Sequence, residues 1–487
     1  MKKVITIDPI TRLEGHGKIS IFLDDSGNVE NAFFQVPEFR GFEKFCEGRA
    51  AEEMPRITSK ICGVCPTAHH MASTKTLDSL FKVEPTSTAK KVRELVYNLF
   101  MFEDHLLHFF FLGGPDFLVG PEAPKEERNV IGVIKKFGVE IGKKVIQMRK
   151  DTRKVMAELM GRPTDPIFGM PGGISKGITN ELKNFILKFS DEMIEFAKFV
   201  IKTFHSVVLE NESYKKMILN DAYKIVTHYM GLVDENNFVN FYDGKIRVVS
   251  SKGKEIAKFP VEKYYDYIAE NVEEWSYIKF PYLKSIGWKG FIDGDDSGIY
   301  RVAPLARLNV ADGMATELAN QEYKKMFDIL EHKPVHHTLA YHWARLIEVL
   351  YAAERVKELI SDKEITSDNI RNIPKNIPDE GIGVVEAPRG TLIHHYKTDE
   401  NGILKKVNLI VATVNNSAAI CLSIKKAAES LIKNGQVSDG ILNKVEMAFR
   451  AYDPCFACAT HSFPGEMPLI VEIYDKKKNL IKTIKRL

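Results

Sequence analysis

The sequence has no apolar run long enough to cross a membrane, no internal repeat and no low-complexity tract. Its most apolar stretch, HLLHFFFLGGPDFLVG, carries two histidines and an aspartate. The first residues, MKKVITIDPITRLEGHGK, lack the apolar core of a signal peptide because Asp8 and Arg12 interrupt them. These absences predict a protein with neither a membrane span nor an export signal.

Neither sign of charge dominates, because 68 basic and 65 acidic residues give a formal net charge of +3. Such a balance gives no reason to expect a nucleic-acid partner. Cysteine is scarce, with six in 487 residues, which is unlike the disulfide framework of a small secreted protein. The chain also lacks a Gly-x-Gly-x-x-Gly fingerprint and a flavin signature, so we expect no dinucleotide site in it.

The residue patterns predict an α+β fold that is mainly helical. A hydrophobic fraction of 44% and a charged fraction of 27% are typical of soluble globular proteins. Alternating apolar residues predict short strands, and longer periodic segments predict helices. Strands are expected over 3–38, a small β-containing insertion over about 236–290, and hairpins over 391–412 and the C-terminal 20 or so residues. Helices are expected over 86–112, 125–160, 179–209 and 315–361, and a loop over 373–385.

Four of the six cysteines fall in two Cys-x-x-Cys motifs, one near each end of the chain, and each is followed by a histidine. Four thiolates can hold a soft metal, so the two motifs predict one site built from both ends of the sequence. The motifs are Cys62-Gly-Val-Cys65 with His69, and Cys455-Phe-Ala-Cys458 with His461.

Taken alone, this spacing leaves several kinds of site open. A closed structural zinc site usually joins cysteine pairs that are only tens of residues apart, and a chain of this size does not need such a staple. A thioredoxin-like dithiol would leave the second motif unexplained. An iron–sulfur cluster bound by four thiolates would make the protein an electron carrier.

The residues around the cysteines narrow the choice among these kinds of site. Five short motifs occur in order along the chain, and as a set they resemble the large, catalytic subunit of the nickel–iron hydrogenases. The resemblance runs from Asp8 to His461 and implies reversible oxidation of dihydrogen to protons and electrons. It also implies that family's fold, with a buried helical core, N-terminal strands and peripheral β-hairpins. The motifs are Arg12-Leu-Glu-Gly-His16, Arg40-Gly-Phe-Glu43, Ile61-Cys-Gly-Val-Cys65, Glu386-Ala-Pro-Arg-Gly390 and Asp453-Pro-Cys455.

The resemblance implies a role for each cysteine of the two motifs. Cys62 and Cys455 would be terminal nickel ligands, and Cys65 and Cys458 would bridge nickel to iron. The iron would also carry one carbon monoxide and two cyanide ligands. Thiolates suit these metals because they are soft ligands.

Further residues match positions around the family's metal centre. Glu14 would transfer protons beside a nickel thiolate, and His69 would donate a hydrogen bond to a bridging thiolate. Without the family, Glu14 could be a buried carboxylate paired with Arg12. His69 alone would more often be a core histidine with an ordinary hydrogen bond.

The cyanide-binding side of the centre is implied in the same way. Arg389, which follows Pro388, would lie over the open metal face and bond one cyanide, while Thr413 would bond the other. Asp116 and Asp453 would orient Arg389. Taken alone, Arg389 could cap loop carbonyls and Asp453 could be a turn residue before proline.

A harder cation site is implied near the C-terminal motif. Glu43, the carbonyl of Leu409 and His461 match family positions that hold magnesium, or sometimes iron. Oxygen and imidazole ligands completed by water suit such an octahedral cation. Taken alone, Glu43 could be a surface carboxylate at the start of a helix.

The resemblance also divides the chain. Residues 1–461 would form a single large-subunit domain. Residues 462–487 would be a C-terminal propeptide, which a nickel-dependent endopeptidase removes after accessory proteins have inserted the metals.

The chain has no iron–sulfur motif beyond its four paired cysteines, so electrons would leave through other subunits, and the resemblance implies which ones. Electrons would leave through a small subunit that holds the iron–sulfur clusters, and then through a heterodisulfide reductase or a flavin and nicotinamide module. The segments PEFRGFE and DPCFACATH are most similar to the cytoplasmic multimeric branch of the family, so a cytoplasmic location is expected. Two competing functions are the quinone-site scaffold subunit of respiratory complex I, whose family lacks the four cysteines, and a zinc-stapled interaction protein.

Overall fold

The computed structural model describes residues 3–162, 164–461, 469–477 and 479–486. The described chain is mainly helical with several small separate sheets, so the predicted α+β class is confirmed. The α-helices are Phe42–Cys46, Met54–Thr58, Pro66–Leu80, Ser87–Leu107, Pro115–Leu118, Val130–Phe137, Val139–Met160, Asn180–Phe204, Glu212–Ile218, Tyr264–Tyr267, Pro304–Val310, Glu317–Ile329, Tyr341–Ser361, Ser417–Leu431, Asp439–Arg450 and Phe456–Ala459.

The strands pair almost entirely as antiparallel hairpins and meanders. None of the described helices has the length and apolarity needed to cross a bilayer. The strands are Lys3–Ile7, Lys18–Leu23, Val29–Gln35, Gly169–Met170, Gly173–Ile174, His228–Val233, Lys245–Val249, Glu255–Phe259, Ile268–Val272, Lys279–Leu283, Tyr300–Arg301, Glu380–Ala387, Gly390–Thr398, Leu404–Ile410, Leu469–Tyr474 and Leu480–Arg486.

The core is a packed group of long helices. Ser87–Leu107 and Asn180–Phe204 both pack against Tyr341–Ser361, and most of the residues that face this packing are fully buried. Thr86 begins the first of these helices, because its hydroxyl oxygen accepts a hydrogen bond from the Ala89 N–H. This helix, which was predicted over 86–112, has most of its residues buried.

Two of the long predicted helices are each broken in two. The segment 125–160 turns at Gly138, whose φ of +93° only glycine adopts without strain. The segment 315–361 is interrupted between Ile329 and Tyr341, where Pro334 cannot continue a helix. Periodicity alone therefore merged helices that a glycine or a proline-containing segment separates.

The loop predicted over 373–385 is wrong for its second half, because Glu380–Ala387 is the first strand of a three-stranded sheet. This sheet packs directly on the helix Pro66–Leu80. A Cβ atom added to Gly383 would lie 2.4 Å from the Ala72 carbonyl oxygen. The glycine that resembled a loop signal is there to let strand and helix approach closely.

The predicted hairpins are present. Gly390–Thr398 pairs with Leu404–Ile410 around the turn at 399–402, and Leu469–Tyr474 pairs with Leu480–Arg486. Four strands lie within the predicted β-containing region over 236–290, although the sheet to which two of them belong already includes the strand that begins at His228. The three N-terminal strands form one antiparallel sheet, as predicted.

Candidate metal centre

The two cysteine motifs meet in the interior, as predicted. Their four Sγ atoms lie within 4.8 Å of one another, and all four residues are buried. The Cys62 and Cys455 sulfurs are 3.4 Å apart, and the Cys65 and Cys458 sulfurs are 3.3 Å apart. Both ends of the chain therefore contribute two thiols to one cluster, which we call the thiol cluster.

Both motifs deliver their sulfurs in the same way, at the start of a helix. Cys65 immediately precedes the helix Pro66–Leu80, and Cys455 immediately precedes the short helix Phe456–Ala459. The Val64 and Cys65 N–H groups donate to the Cys62 sulfur at 3.2 and 3.3 Å. Backbone N–H groups stabilise a thiolate, so the first motif prepares an anionic sulfur.

The thiol cluster cannot hold four negative charges by itself. Burial raises the pKa values of Cys455 and Cys458 well above the ordinary thiol value. Hydrogen bonds from the other three cysteines hold the pKa of Cys62 well below that value. Complete deprotonation at neutral pH therefore requires compensating positive charge, which is what bound soft metal cations provide.

Glu14 contacts this cluster directly. Its Oε2 accepts hydrogen bonds from the Cys455 thiol, at 2.9 Å, and from the Ala457 N–H, at 3.1 Å. A backbone bridge between Glu14 and Cys455 fixes the two residues side by side. Burial, and then the neighbouring Cys62, raise the pKa of Glu14, so this carboxyl takes up a proton more readily than an exposed glutamate.

Arg389 lies on another side of the cluster, at the tip of a two-residue turn. The strand partners Ala387 and Gly390 flank Pro388 and Arg389 in this turn. A Cβ atom on Gly390 would lie 2.1 Å from a methyl carbon of Val302, so only glycine lets the turn enter the core. The turn thereby carries a buried guanidinium to the thiol cluster.

Two carboxylates fix this guanidinium. Its terminal nitrogens lie 3.2 Å from an Asp104 oxygen and 3.0 Å from an Asp453 oxygen. All three side chains are almost completely buried. Two flanking carboxylates determine the direction of the planar guanidinium group.

The prediction that Asp116 orients Arg389 is wrong, because Asp104 has that position. The Asp116 carboxylate instead lies 2.5 Å from Arg12 and 2.7 Å from Arg450. Both of its oxygens are taken up by this separate buried ion pair. The prediction for Asp453 agrees with the geometry.

The surroundings of the thiol cluster fit a nickel–iron group. The Nε atom of Arg389 is buried and has no hydrogen-bond partner among the described residues. Thr413 accepts a hydrogen bond from the Cys455 N–H at 3.0 Å, which leaves its own hydroxyl hydrogen to donate. Both residues line a small apolar-walled cavity next to Cys65, Cys455 and Cys458. A cavity with two free donors suits small ligands such as cyanide.

His69 lines the same cavity. Its Nδ1 lies 3.2 Å from Nε2 of His394, and burial lowers its pKa to about 4. His69 is therefore neutral at physiological pH. A hydrogen bond from His69 to a bridging thiolate stays a prediction.

Glu43, Leu409 and His461 also converge. A Glu43 carboxylate oxygen accepts a hydrogen bond from the Leu409 N–H at 2.8 Å and lies 3.7 Å from His461 Nε2. The Glu43 N–H in turn donates to the His461 carbonyl at 3.2 Å. Glu270, which sequence reasoning missed, acts on both side chains electrostatically from the strand Ile268–Val272.

Two further buried histidines have hydrogen-bond partners within the core. His105 bonds Glu348 at 2.8 Å, and His108 bonds the Arg450 carbonyl at 2.9 Å. The other two cysteines, Cys46 and Cys421, are buried away from the cluster. Asp104 and His394 are the residues that sequence reasoning missed at the site itself. The available signal for Asp104 was a carboxylate, next to that of Glu103, in the mostly apolar second half of a buried helix.

Family comparison gives an independent result. A family model described as nickel-dependent hydrogenase matches residues 40–130 and 231–461, and one described as HoxL-like matches residues 4–39. The chain is 51% identical over 486 residues to an iron–sulfur subunit of the F420-non-reducing hydrogenase of Archaeoglobus profundus, with 100% of both chains covered. It is 36% identical to the NAD-reducing hydrogenase HoxS subunit beta of Cupriavidus necator, with 99% of both chains covered.

A solved structure shares the fold. The crystal structure of an NAD⁺-reducing [NiFe]-hydrogenase in the H₂-reduced state superposes with a TM-score of 0.88 and 34% sequence identity. The match covers 94% of this chain and 99% of that one.

Proposed function

The chain belongs to the nickel-dependent hydrogenase family, and on that premise we propose how its own residues hold the metals and move the proton. It is the catalytic large subunit of a nickel–iron hydrogenase, and its four clustered cysteines are the metal ligands. When bound, the nickel–iron centre supplies the site at which dihydrogen is split. The observation that carries the proposal is the buried thiol cluster, with a carboxylate on one sulfur and a guanidinium beside it.

Each cysteine has a proposed place in the centre. The four thiolates would hold the nickel and the iron, with Cys62 and Cys455 as ligands of nickel alone and Cys65 and Cys458 as the ligands that the two metals would share. Arg389 and Thr413 would donate hydrogen bonds to two cyanide ligands of the iron, which would also carry carbon monoxide. The free donor atoms of these two residues in the cavity support this placement.

Glu14 carries the proton away from the centre. Its carboxylate accepts a hydrogen bond from the protonated Cys455 thiol, so a proton that this sulfur takes up can pass to Glu14 without rearrangement. Its raised pKa brings the carboxyl closer to neutral pH, where a group can both take up and release a proton. Asp453 and Asp104 act by holding Arg389 in place.

Glu43, the Leu409 carbonyl and His461 hold a magnesium or iron ion in this proposal. Their convergence supports it, and so does the buried Nε2 atom of His461, which has no hydrogen-bond partner among the described residues. Burial lowers the pKa of His461 to about 4, so the imidazole is neutral and can bind a cation.

A small iron–sulfur subunit covers the Cys62 side of the cluster. The loop there is thin, because Gly63 is exposed and Val64 is only half-buried. Electrons then pass to a heterodisulfide reductase or to a flavin and nicotinamide module. The relatives' names, F420-non-reducing and NAD-reducing, are compatible with both routes.

The proposal is tested on the complex purified with its partner subunits. Elemental analysis should find nickel and iron, infrared spectroscopy should find carbon monoxide and cyanide bands, and dihydrogen should reduce an artificial dye. Zinc in place of nickel and iron would contradict the metal assignment. A cytoplasmic location is also proposed, and cell fractionation tests it.

The C-terminal tail gives a prediction about maturation. We expect residues 462–487 to be removed after His461 only in cells supplied with nickel, with the aid of accessory proteins. Mass spectrometry of the intact chain from nickel-replete and nickel-starved cultures measures this, with a culture supplemented only with zinc as the control. An active enzyme that still ends at Leu487 would show that processing is not required.

Replacement of Arg389 by lysine gives a second prediction. The variant should fold and keep nickel and iron but lose about 10²-fold in activity, the scale for losing one preorganised donor. A single ammonium cannot bridge Asp104 and Asp453 while also presenting a donor to the cavity. Dye reduction and metal content are the measurements. Arg355→Lys is the matched control, because Arg355 also bridges two carboxylates, but at the surface.

Loss of metal together with activity in Arg389→Lys would make Arg389 a structural residue. Parent-like activity would remove it from the site altogether.

A further inference from the structure

A buried chain of hydrogen-bonded side chains begins at the cavity beside the thiol cluster and leads away from it. Nδ1 of His69 lies 3.2 Å from Nε2 of His394, and Nδ1 of His394 lies 2.6 Å from the Tyr396 hydroxyl. That hydroxyl lies 3.0 Å from the Ser73 hydroxyl. All four residues are buried, so their polar hydrogens have few other hydrogen-bond acceptors within reach.

The strand Gly390–Thr398 supplies two members of this hydrogen-bonded chain, because alternate residues of a strand lie on the same face. His394 and Tyr396 are two residues apart, so their side chains leave the same face of the sheet. This face lies on the helix Pro66–Leu80, which carries His69 and Ser73 one turn apart. The intervening His395 points to the opposite face, where it bonds Tyr264 and Glu380.

We propose that Tyr396 and His394 are positioning residues that fix the tautomer of His69, so that its Nε2–H points at the thiol cluster. This inference rests on the proposed function, because a metal-bound thiolate can accept a hydrogen bond but cannot donate one. A neutral imidazole has one N–H, so donation from Nε2 leaves Nδ1 of His69 as an acceptor.

The hydrogen positions on His394, Tyr396 and Ser73 follow from this tautomer of His69. His394 must donate from Nε2 to His69, which leaves its own Nδ1 as an acceptor. Tyr396 would then turn its single hydroxyl hydrogen, which the structure directs to the Ser73 oxygen, to that nitrogen, and the Ser73 hydroxyl would donate to the phenolic oxygen in return. Burial lowers the pKa of both histidines, which keeps each ring neutral with a single hydrogen.

The adjacent His70 also has its tautomer set by its hydrogen-bond partners, but there the hydrogen is on the other ring nitrogen. His70 accepts a hydrogen bond at Nε2 from the Gly169 N–H at 2.8 Å. Its Nδ1 therefore carries the hydrogen and donates to the Pro55 carbonyl at 3.1 Å. Adjacent histidines of one helix thus have opposite tautomers, each set by its partners.

Neutron diffraction tests the hydrogen positions directly, on crystals of the holoenzyme complex grown in D₂O. We expect deuterium on Nε2 of both His69 and His394, and on Nδ1 of His70 as the internal reference. Deuterium on Nδ1 of His69 or of His394 would overturn the proposal. This readout does not depend on activity or on which ligands the iron carries.

A substitution tests the effect on the metals. Tyr396→Phe removes the terminal donor, so the Nε2–H tautomer of His69 loses its support. The bridging sulfur then donates more electron density, and the infrared carbon monoxide stretch should shift to lower frequency. Tyr323→Phe is the matched control, because it removes a buried phenolic hydroxyl elsewhere in the chain, which donates to the Ala311 carbonyl and accepts from the Lys333 ammonium.

An unshifted band in Tyr396→Phe with parent-like metal content would overturn the proposed role of Tyr396. An equal shift in Tyr323→Phe would show a general packing effect and overturn it as well. If the parent enzyme has no carbon monoxide band, the proposed iron ligands fail, and neutron diffraction still decides the tautomer.

Discussion

Cys458→Ser should abolish hydrogenase activity and leave the protein without nickel. A hydroxyl is a harder ligand than a thiol and is far less acidic, so it does not form the bridge that two metals share. The sulfur of Cys458 also lies 2.8 Å from that of Cys455, so losing one ligand disturbs the other. Metal analysis and dye reduction by dihydrogen measure the two losses.

Cys421→Ser is the matched control. Cys421 is buried like Cys458 but lies outside the thiol cluster. Its replacement should cost about 1–3 kcal/mol of stability through a buried hydroxyl and should leave the metals in place. Dihydrogen uptake that survives in Cys458→Ser would remove this residue from the ligand set.

The ligands could be predicted from the sequence because cysteine spacing is a local property. A Cys-x-x-Cys pair next to a helix start brings two sulfurs together without help from the rest of the fold. The convergence of Cys62 and Cys455 depends on the whole core, and the sequence alone left zinc and iron–sulfur sites open. The family resemblance supplied the choice of metals.

Local sequence patterns could not identify which carboxylate pairs with Arg389. Asp104 and Asp116 lie on the same stretch of chain, and both are buried carboxylates. A π-helical turn over His108–Gly113 lies between them and changes which face each presents. Sequence periodicity contains no sign of this turn, so Asp116 was paired with the wrong arginine.

The strand Glu380–Ala387 was missed for a related reason. Its glycines at 381 and 383 resemble loop signals, yet they are required by the helix that lies against the strand. The contact joins parts of the chain about 300 residues apart. Local propensity cannot report a neighbour at that distance, and here tertiary packing decided the structure.

Glu14→Gln should leave the cluster assembled but lower dihydrogen oxidation by about 10²–10⁴-fold, the usual cost of losing a positioned acid–base group. Gln keeps the shape and can still accept the Ala457 N–H, so the local fold should persist. Its amide does not titrate near neutral pH and so cannot relay the proton. Dye reduction measures net turnover, which requires that the proton leaves.

Two comparisons separate proton transfer from structural damage. Glu322→Gln alters another half-buried, hydrogen-bonded carboxylate and should keep the parent rate. Asp453→Asn should be milder than Glu14→Gln, because Asp453 orients Arg389 and does not carry the proton.

Conversion of para- to ortho-hydrogen decides what Glu14 does. This reaction needs no exit of the proton to solvent, so it should survive in Glu14→Gln better than dye reduction does. Because Glu14 touches the Cys455 sulfur, a purely structural role would instead lower both reactions together. Near-parent dye reduction with normal metal content would show that the proton leaves by another route, and Arg389 would be the next residue to replace.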